Sequence, residues 1–183
     1  MNPWHDVPRG KPEAFNAVIE ISAGTRNKYE LDKKIGLLRL DRVIYSPVMY
    51  PADYGFVPQS YWDDQDPLDV LVIGRYPVVP LTIVPARPIG VMQMIDDDEQ
   101  DNKIIAVCAV DPKYDDIQEI DDLDPHMLKE LKHFFEIYKD LQGKKVRVGQ
   151  FLHRKEALEI IRGSFSLYDE KIAGKKPLIK RKK

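Results

Sequence analysis

The chain has 183 residues, 43% of them hydrophobic and 32% charged, a balance that suits one packed domain over residues 1–183 and excludes a disordered chain. Its 28 Lys and Arg against 30 Asp and Glu leave a formal charge of −2, which argues against nucleic-acid binding by bulk charge while hiding strong local clustering. A single cysteine excludes an internal disulfide or a CxxC metal motif, and no apolar run approaches the ~18–20 residues that would span a bilayer.

The N-terminal residues lack an apolar signal core, so the cytoplasm is the expected compartment. Short strand-like runs dominate the first 110 residues. Residues 17–21 alternate, with Ala17, Ile19 and Ile21 on one face. Residues 28–31 put Lys28 and Glu30 on one face and Tyr29 and Leu31 on the other. Residues 37–44 place Arg42 on the face of Leu38, Leu40 and Ile44, and 69–73 put Asp69 in line with Leu71 and Ile73. Prolines 77, 80, 85 and 88 mark 76–88 as loop or sheet edge. Strands follow over 89–95 and 104–110, the second holding Cys108, read as a small buried core residue.

Helices come late. Asp124 is an N-cap with Pro125 in the first turn. Leu128, Leu131, Phe135 and Tyr138 then recur on one helical face, with Gly143 as terminator. Residues 144–148 read as a last strand and 155–168 as a second helix, weakened by Gly163. The histidines (5, 126, 133, 153) form no ligand pair and are read as surface or packing residues. A basic tail begins at about residue 174 and is read as solvated. Strands followed by two helices predict an α+β domain around a small closed barrel.

The densest chemistry lies in Asp64-Gln65-Asp66-Pro67-Leu68-Asp69. Asp69 falls on an apolar strand face, where an unpaired carboxylate is costly and a cation is the natural partner. A second acidic loop, 96–101, can meet the first if the flanking strands are neighbours. Carboxylates without His or Cys select hard cations, Mg²⁺ or Mn²⁺, and two such loops carry enough charge for several ions. Neither is an EF-hand, and Asp63, Asp98 and Glu99 are read as solvated loop charges. Lys28, Arg42, Lys103 and Lys139 supply complementary charge, each beside residues with a core-facing pattern. Carboxylate loops with cations between them suit a polyanion and phosphoryl transfer.

In this order the motifs resemble those of family I soluble inorganic pyrophosphatases, from about residue 17 to 165. The resemblance rests on Glu20-Ile21, Lys28-Tyr29-Glu30, Asp41-Arg42, the segment from Tyr50 to Pro58, the DxDPxD signature, the acidic loop ending at Asp101 and Lys103, and the segment from His133 to Leu141. It implies a five-stranded OB-like β-barrel flanked by two C-terminal helices, a pyrophosphate substrate and several Mg²⁺ ions per site, with Mn²⁺ as a substitute. Asp64, Asp69 and Asp101 are implied around a first metal pair, Asp96 and Asp97 at a further ion, and Glu20 and Glu30 at a substrate-borne metal. Asp66 is implied to orient and deprotonate the nucleophilic water. Lys28, Arg42, Tyr54, Lys103, Tyr138 and Lys139 are implied to hold the phosphates, with Tyr50 close by. Gln65, Ser22 and Asp97 depart from the usual pattern. The resemblance also implies a homo-oligomer, with neither nucleic acid nor membrane as partner. A single-strand binder on such a barrel would need a basic groove, not one crowded with carboxylates. A metal-stabilised, non-catalytic module would leave the clustered cations unexplained.

Overall fold

A computed structural model of the chain describes residues 1–62 and 65–172. A short helix α1 (Pro3–Asp6) and strand β1 (Gly10–Lys11) lead into β2 (Ala14–Ile21). The hairpin of β3 (Asn27–Asp32) and β4 (Leu37–Val43) forms its own small sheet. Strands β5 (Asp53–Phe56), β6 (Asp69–Ile73), β7 (Ile83–Asp96), β8 (Glu99–Gln100) and β9 (Lys103–Cys108) follow. Helix α2 (Pro125–Ile137), strand β10 (Val146–His153) and helix α3 (Arg154–Lys171) complete the described chain.

Five strands close on themselves: β2 bonds β5, β5 bonds β6, β6 bonds β9, β9 bonds β7, and β7 returns to β2. This ring, with helices α2 and α3 packed beside it, is consistent with the OB-like α+β fold that the resemblance implies. The 14-residue β7 makes closure possible. Its first residues pair with β2, its last with β10, and its middle with β9.

The β6 and β9 sequences are nearly all apolar because both faces are covered. Alternate side chains diverge. Val70, Val72, Ile104 and Ala106 pack with Ala157, Ile161 and Phe165 of α3. Leu71, Ile73, Ile105 and Val107 pack with Leu131, Phe134 and Phe135 of α2. That period of two sets the faces of the charged residues at the strand starts. Asp124 caps α2 as expected, its carboxylate accepting the His126 N–H at 2.8 Å.

Several expectations need correction. Pro85 and Pro88 lie inside β7. At Pro88 the ladder to β9 shifts register before Gly90, where a missing N–H costs little; Pro85 stands opposite Asn16 of β2. The β3–β4 register jumps from Lys28↔Arg42 to Tyr29↔Leu40, leaving Asp41 as a bulge. Arg42 therefore shares the face of Lys28, not that of Leu40. Helix α2 stops at Ile137, so Tyr138 and Lys139 follow it, and Gly143 (φ 70°) ends the short turn Asp140–Gln142 instead. Cys108 is half-buried. The basic tail lies outside the described residues. Among the described residues no helix is long and apolar enough to cross a membrane.

Strand β5 had no strand signal of its own. Gly55 explains how it fits: a Cβ there would sit 2.0 Å from the Val18 carbonyl oxygen and 2.8 Å from Ile19 Cα. That close approach of β5 to β2 carries Tyr54 into the site. Gly55→Ala should therefore cost about 3 kcal/mol or more, since the clash is with backbone. Urea unfolding is the check, and an unchanged midpoint would contradict the packing described.

Candidate active site

The parallel register Val70↔Ile104 sets Asp69 and Lys103 side by side, one residue before each partner, at the same end of the ring. Both lie on the face that leads to Leu71 and Ile105. The β7–β8 hairpin adds Asp96 and Asp97, and Asp101 precedes β9. Because β7, β9 and β6 are consecutive neighbours, the two acidic segments converge. Strands β2 and β3 bring Glu20, Lys28 and Glu30; α2 and the turn after it bring Tyr138 and Lys139.

These side chains line one cavity of about 350 Å³. Of the residues predicted for the site, Glu20, Lys28, Glu30, Tyr50, Tyr54, Asp66, Asp69, Asp96, Asp97, Asp101, Lys103, Tyr138 and Lys139 are in its wall. Arg42 is not. Its guanidinium bonds Asp41 (2.6 Å) and Gln142 (3.2 Å) instead. Asp64 lies outside the described residues. Sequence reasoning missed Lys33, and it read Glu99 as a loop charge although both line the cavity.

Charge is interleaved throughout. Lys103 Nζ donates to both Asp69 and Asp101, Lys139 to Asp96, Lys28 to Glu30 and Lys33 to Asp66. Asp97 accepts from Lys144 at 2.6 Å. Lys103 is buried. Burial works to lower its pKa, but the adjoining Asp69 and Asp101 carboxylates outweigh it and hold the ammonium firmly charged. Glu20 is also buried, and its Oε1 accepts the Leu31 N–H at 2.6 Å. Burial, followed by the nearby Asp69 charge, pushes its carboxyl up to about 8. Tyr50 and Tyr54 are raised well above the ordinary phenol range, chiefly by burial, as is Tyr138 by burial and then Asp96.

The donors suit a hard divalent cation. The cavity wall holds carboxylates and neither His nor Cys, and Asp96 Oδ1 is buried without a hydrogen-bond partner, an oxygen that a cation would satisfy. Among the described residues no three ligand-type side chains already gather round one point; Asp69, Asp96, Asp97 and Asp101 each accept from a lysine instead. Cation binding therefore means taking those carboxylates from lysines.

The residues that depart from the family pattern lie in distinct local settings. Gln65 has φ 67°, a left-handed conformation that favours glycine. Ser22 Oγ donates to the Val78 carbonyl at 2.6 Å, tying the exit of β2 to the segment before β7. Asp97 (φ 47°) and Asp98 (φ 66°) form the tight turn of the β7–β8 hairpin.

The model of the inorganic pyrophosphatase family matches residues 17–169. Soluble inorganic pyrophosphatase 5 of Arabidopsis thaliana is 52% identical over 173 residues, covering 93% of this chain and 80% of that protein. The soluble inorganic pyrophosphatase of Zea mays is 51% identical, with 93% and 81% covered. The crystal structure of inorganic pyrophosphatase from Thermus thermophilus superposes with a TM-score of 0.89 at 41% identity, covering 92% of this chain and 99% of that one.

Glu20 makes the site's charge crowding measurable. Its pKa is about 8 folded against 4.5 ordinarily, so between those values the folded chain holds a proton that the unfolded chain releases. Stability from this group is complete below pH 4.5 and is lost as pH rises toward 8. Glu20→Gln keeps the size and the acceptor but removes the titration. In metal-free protein the variant should match wild type near pH 4.5 and melt at a higher temperature near pH 8. Thermal unfolding in chelator across that range is the check; a difference independent of pH would contradict it.

Proposed function

The chain belongs to the inorganic pyrophosphatase family and hydrolyses pyrophosphate to two phosphates, and we propose that it does so with Mg²⁺ ions held by Asp64, Asp69, Asp96, Asp97 and Asp101. Membership implies a divalent metal cofactor. The choice of Mg²⁺, with Mn²⁺ as a substitute, is supported by the oxygen-only donor set. The observation that carries the residue assignments, Asp64 and Arg42 apart, is one cavity in which carboxylates alternate with lysines and buried tyrosines.

Bound divalent ions would neutralise the substrate and acidify a water. The chain's own groups then divide the remaining work. Glu20 and Glu30 would help hold an ion that arrives with the substrate. Asp66 takes the proton from the water that attacks one phosphorus, and the bridging P–O bond breaks to release phosphate. Lys28, Arg42, Lys103 and Lys139 bind the phosphate oxygens, with Tyr54 and Tyr138 donating hydrogen bonds and Tyr50 supporting them. The raised tyrosine pKa values favour this role, because a neutral phenol donates. Arg42 reaches the phosphates by releasing Gln142, and its position on the Lys28 face supports that role.

The proposal extends to one domain over 1–183, a cytoplasmic location and a homo-oligomer, with no role for nucleic acid or membrane. Exposed Tyr76, Val79 and Ile83 offer apolar surface for self-association, which sedimentation would detect.

Three outcomes are expected. Exhaustive chelation abolishes phosphate release and Mg²⁺ restores it; full activity in chelator would exclude a metal requirement. Alanine at Lys28, Arg42 or Lys139 slows hydrolysis by roughly 10²–10³, the loss of a charged transition-state contact, while the fold persists; wild-type turnover in all three variants would make them surface charges. Asp69→Asn and Asp101→Asn lose metal affinity and recover partly at high Mg²⁺. Asp66→Asn does not recover with Mg²⁺ but gains at higher pH, and Asp98→Asn is nearly silent. Phosphate release across a Mg²⁺ and pH grid separates them, and equal small effects at every position would defeat the assignments.

A further inference from the structure

Lys33 belongs to none of the motifs that carry the resemblance, yet its ammonium bonds Asp66 Oδ1 in the cavity wall. It stands in the turn between β3 and β4. There Asp32 Oδ1 accepts the N–H groups of Lys34 and Ile35 at 3.0 and 3.2 Å. The start of the chain grips this turn. Asn2 Nδ2 donates to the Lys33 carbonyl at 2.7 Å, and Asn2 Oδ1 accepts the Trp4 N–H at 3.0 Å. A Cβ on Gly36 would meet the Met1 carbonyl oxygen at 2.7 Å. Trp4 is buried, and Lys33 Nζ lies 5.7 Å from its ring centroid, within reach of a cation–π contact.

The same tryptophan holds the segment that carries Asp66. Trp4 Nε1 donates to the Ser60 carbonyl at 2.8 Å, and Ser60 Oγ accepts the Leu68 N–H at 2.8 Å. The N-terminal turn thus touches both the lysine's turn and the acidic loop, and it precedes residue 17, where the family match begins. The Lys33 and Asp66 side chains are 41% and 47% exposed, so their ion pair adds little stability. A carboxylate that must accept a proton from a fixed water, by contrast, gains from a fixed direction.

We propose that Lys33 is a positioning residue for Asp66, and that the N-terminal turn of Asn2 and Trp4 holds it in place. This rests on Asp66 being the proton acceptor. Lys33→Ala should lower kcat about ten- to hundredfold with KM for pyrophosphate and Mg²⁺ affinity little changed, and Lys33→Arg should recover most of the loss. Asn2→Ala should lower kcat in the same direction by a smaller factor. Added to Asp66→Asn, Lys33→Ala should cause no further loss, because its effect passes through the carboxylate. Thermal unfolding of each variant confirms that the fold persists. Wild-type kcat in Lys33→Ala, a raised KM with unchanged kcat, or independent losses in the double variant would each overturn the proposal. Wild-type turnover in Asp66→Asn alone would overturn the assignment beneath it.

Discussion

Carboxylates brought together in a poorly solvated cavity repel one another, and the rest of this structure accommodates that repulsion. Asp69, Asp96, Asp101 and Glu20 all reach one end of the strand ring, where low local dielectric magnifies each charge. The chain answers in two ways. Glu20, buried and facing Asp69, has its carboxyl pushed up to about 8. The others are each met by a lysine, most tightly at Lys103, whose Nζ serves Asp69 and Asp101 together. Buried ion pairs of this kind are poor sources of net stability, because desolvation offsets much of the attraction. On the proposed function their presence in number has a reason: a divalent cation and a phosphate would be the two partners for which the paired groups are exchanged.

The ring makes the pairing possible through register. A parallel β6–β9 contact flanked by antiparallel neighbours aligns the starts of two strands, so residues 34 positions apart in sequence become lateral neighbours. A slip of one residue would turn Asp69 and Lys103 to opposite faces. The apolar residues that follow them anchor the register, since Leu71 and Ile105 must face α2 while Val70 and Ile104 face α3.

Much of this was legible in the sequence where local pattern and tertiary environment agree. The continuous apolar runs of β6 and β9, the Asp124 cap and the late amphipathic helices all follow from spacing alone. So does the placement of Asp69 on an apolar face. What was not legible depends on contacts between distant segments. Nothing in Asp53-Tyr54-Gly55-Phe56 marks a strand until Gly55 meets Val18. The bulge at Asp41 reverses the face of Arg42, and strict alternation cannot foresee an extra residue. Pro85 and Pro88 read as loop or sheet edge because proline weakens ladders in general, whereas here both lie within β7, and at Pro88 the ladder to β9 shifts register. Lys33 lies in an ordinary polar turn, and its proposed role emerges only once the chain's first residues are seen packed against that turn.

The aromatic side of the cavity explains why its charges act strongly without destabilising the fold around them. Tyr50 packs at a tilt against Tyr54 and Phe134, with centroids 5.6 and 4.9 Å apart, and Phe134 and Phe135 both lie with ring centroids 5.5 Å from that of Tyr138. These rings join the α2-side core, so one wall of the site is the outer layer of the hydrophobic core. Lys103 and Lys139 lie 5.8 and 5.5 Å from the ring centroids of Tyr54 and Tyr138, where the ring quadrupoles favour the ammonium groups. The same rings exclude water and keep their hydroxyls protonated. On the proposed assignments, a rigid apolar wall bearing neutral donors, set against a wall of ion pairs, would give a polyanion fixed hydrogen bonds on one side and mobile countercharge on the other. That asymmetry would orient a symmetric substrate, and it arises because the helix that buries the strand starts also ends beside them.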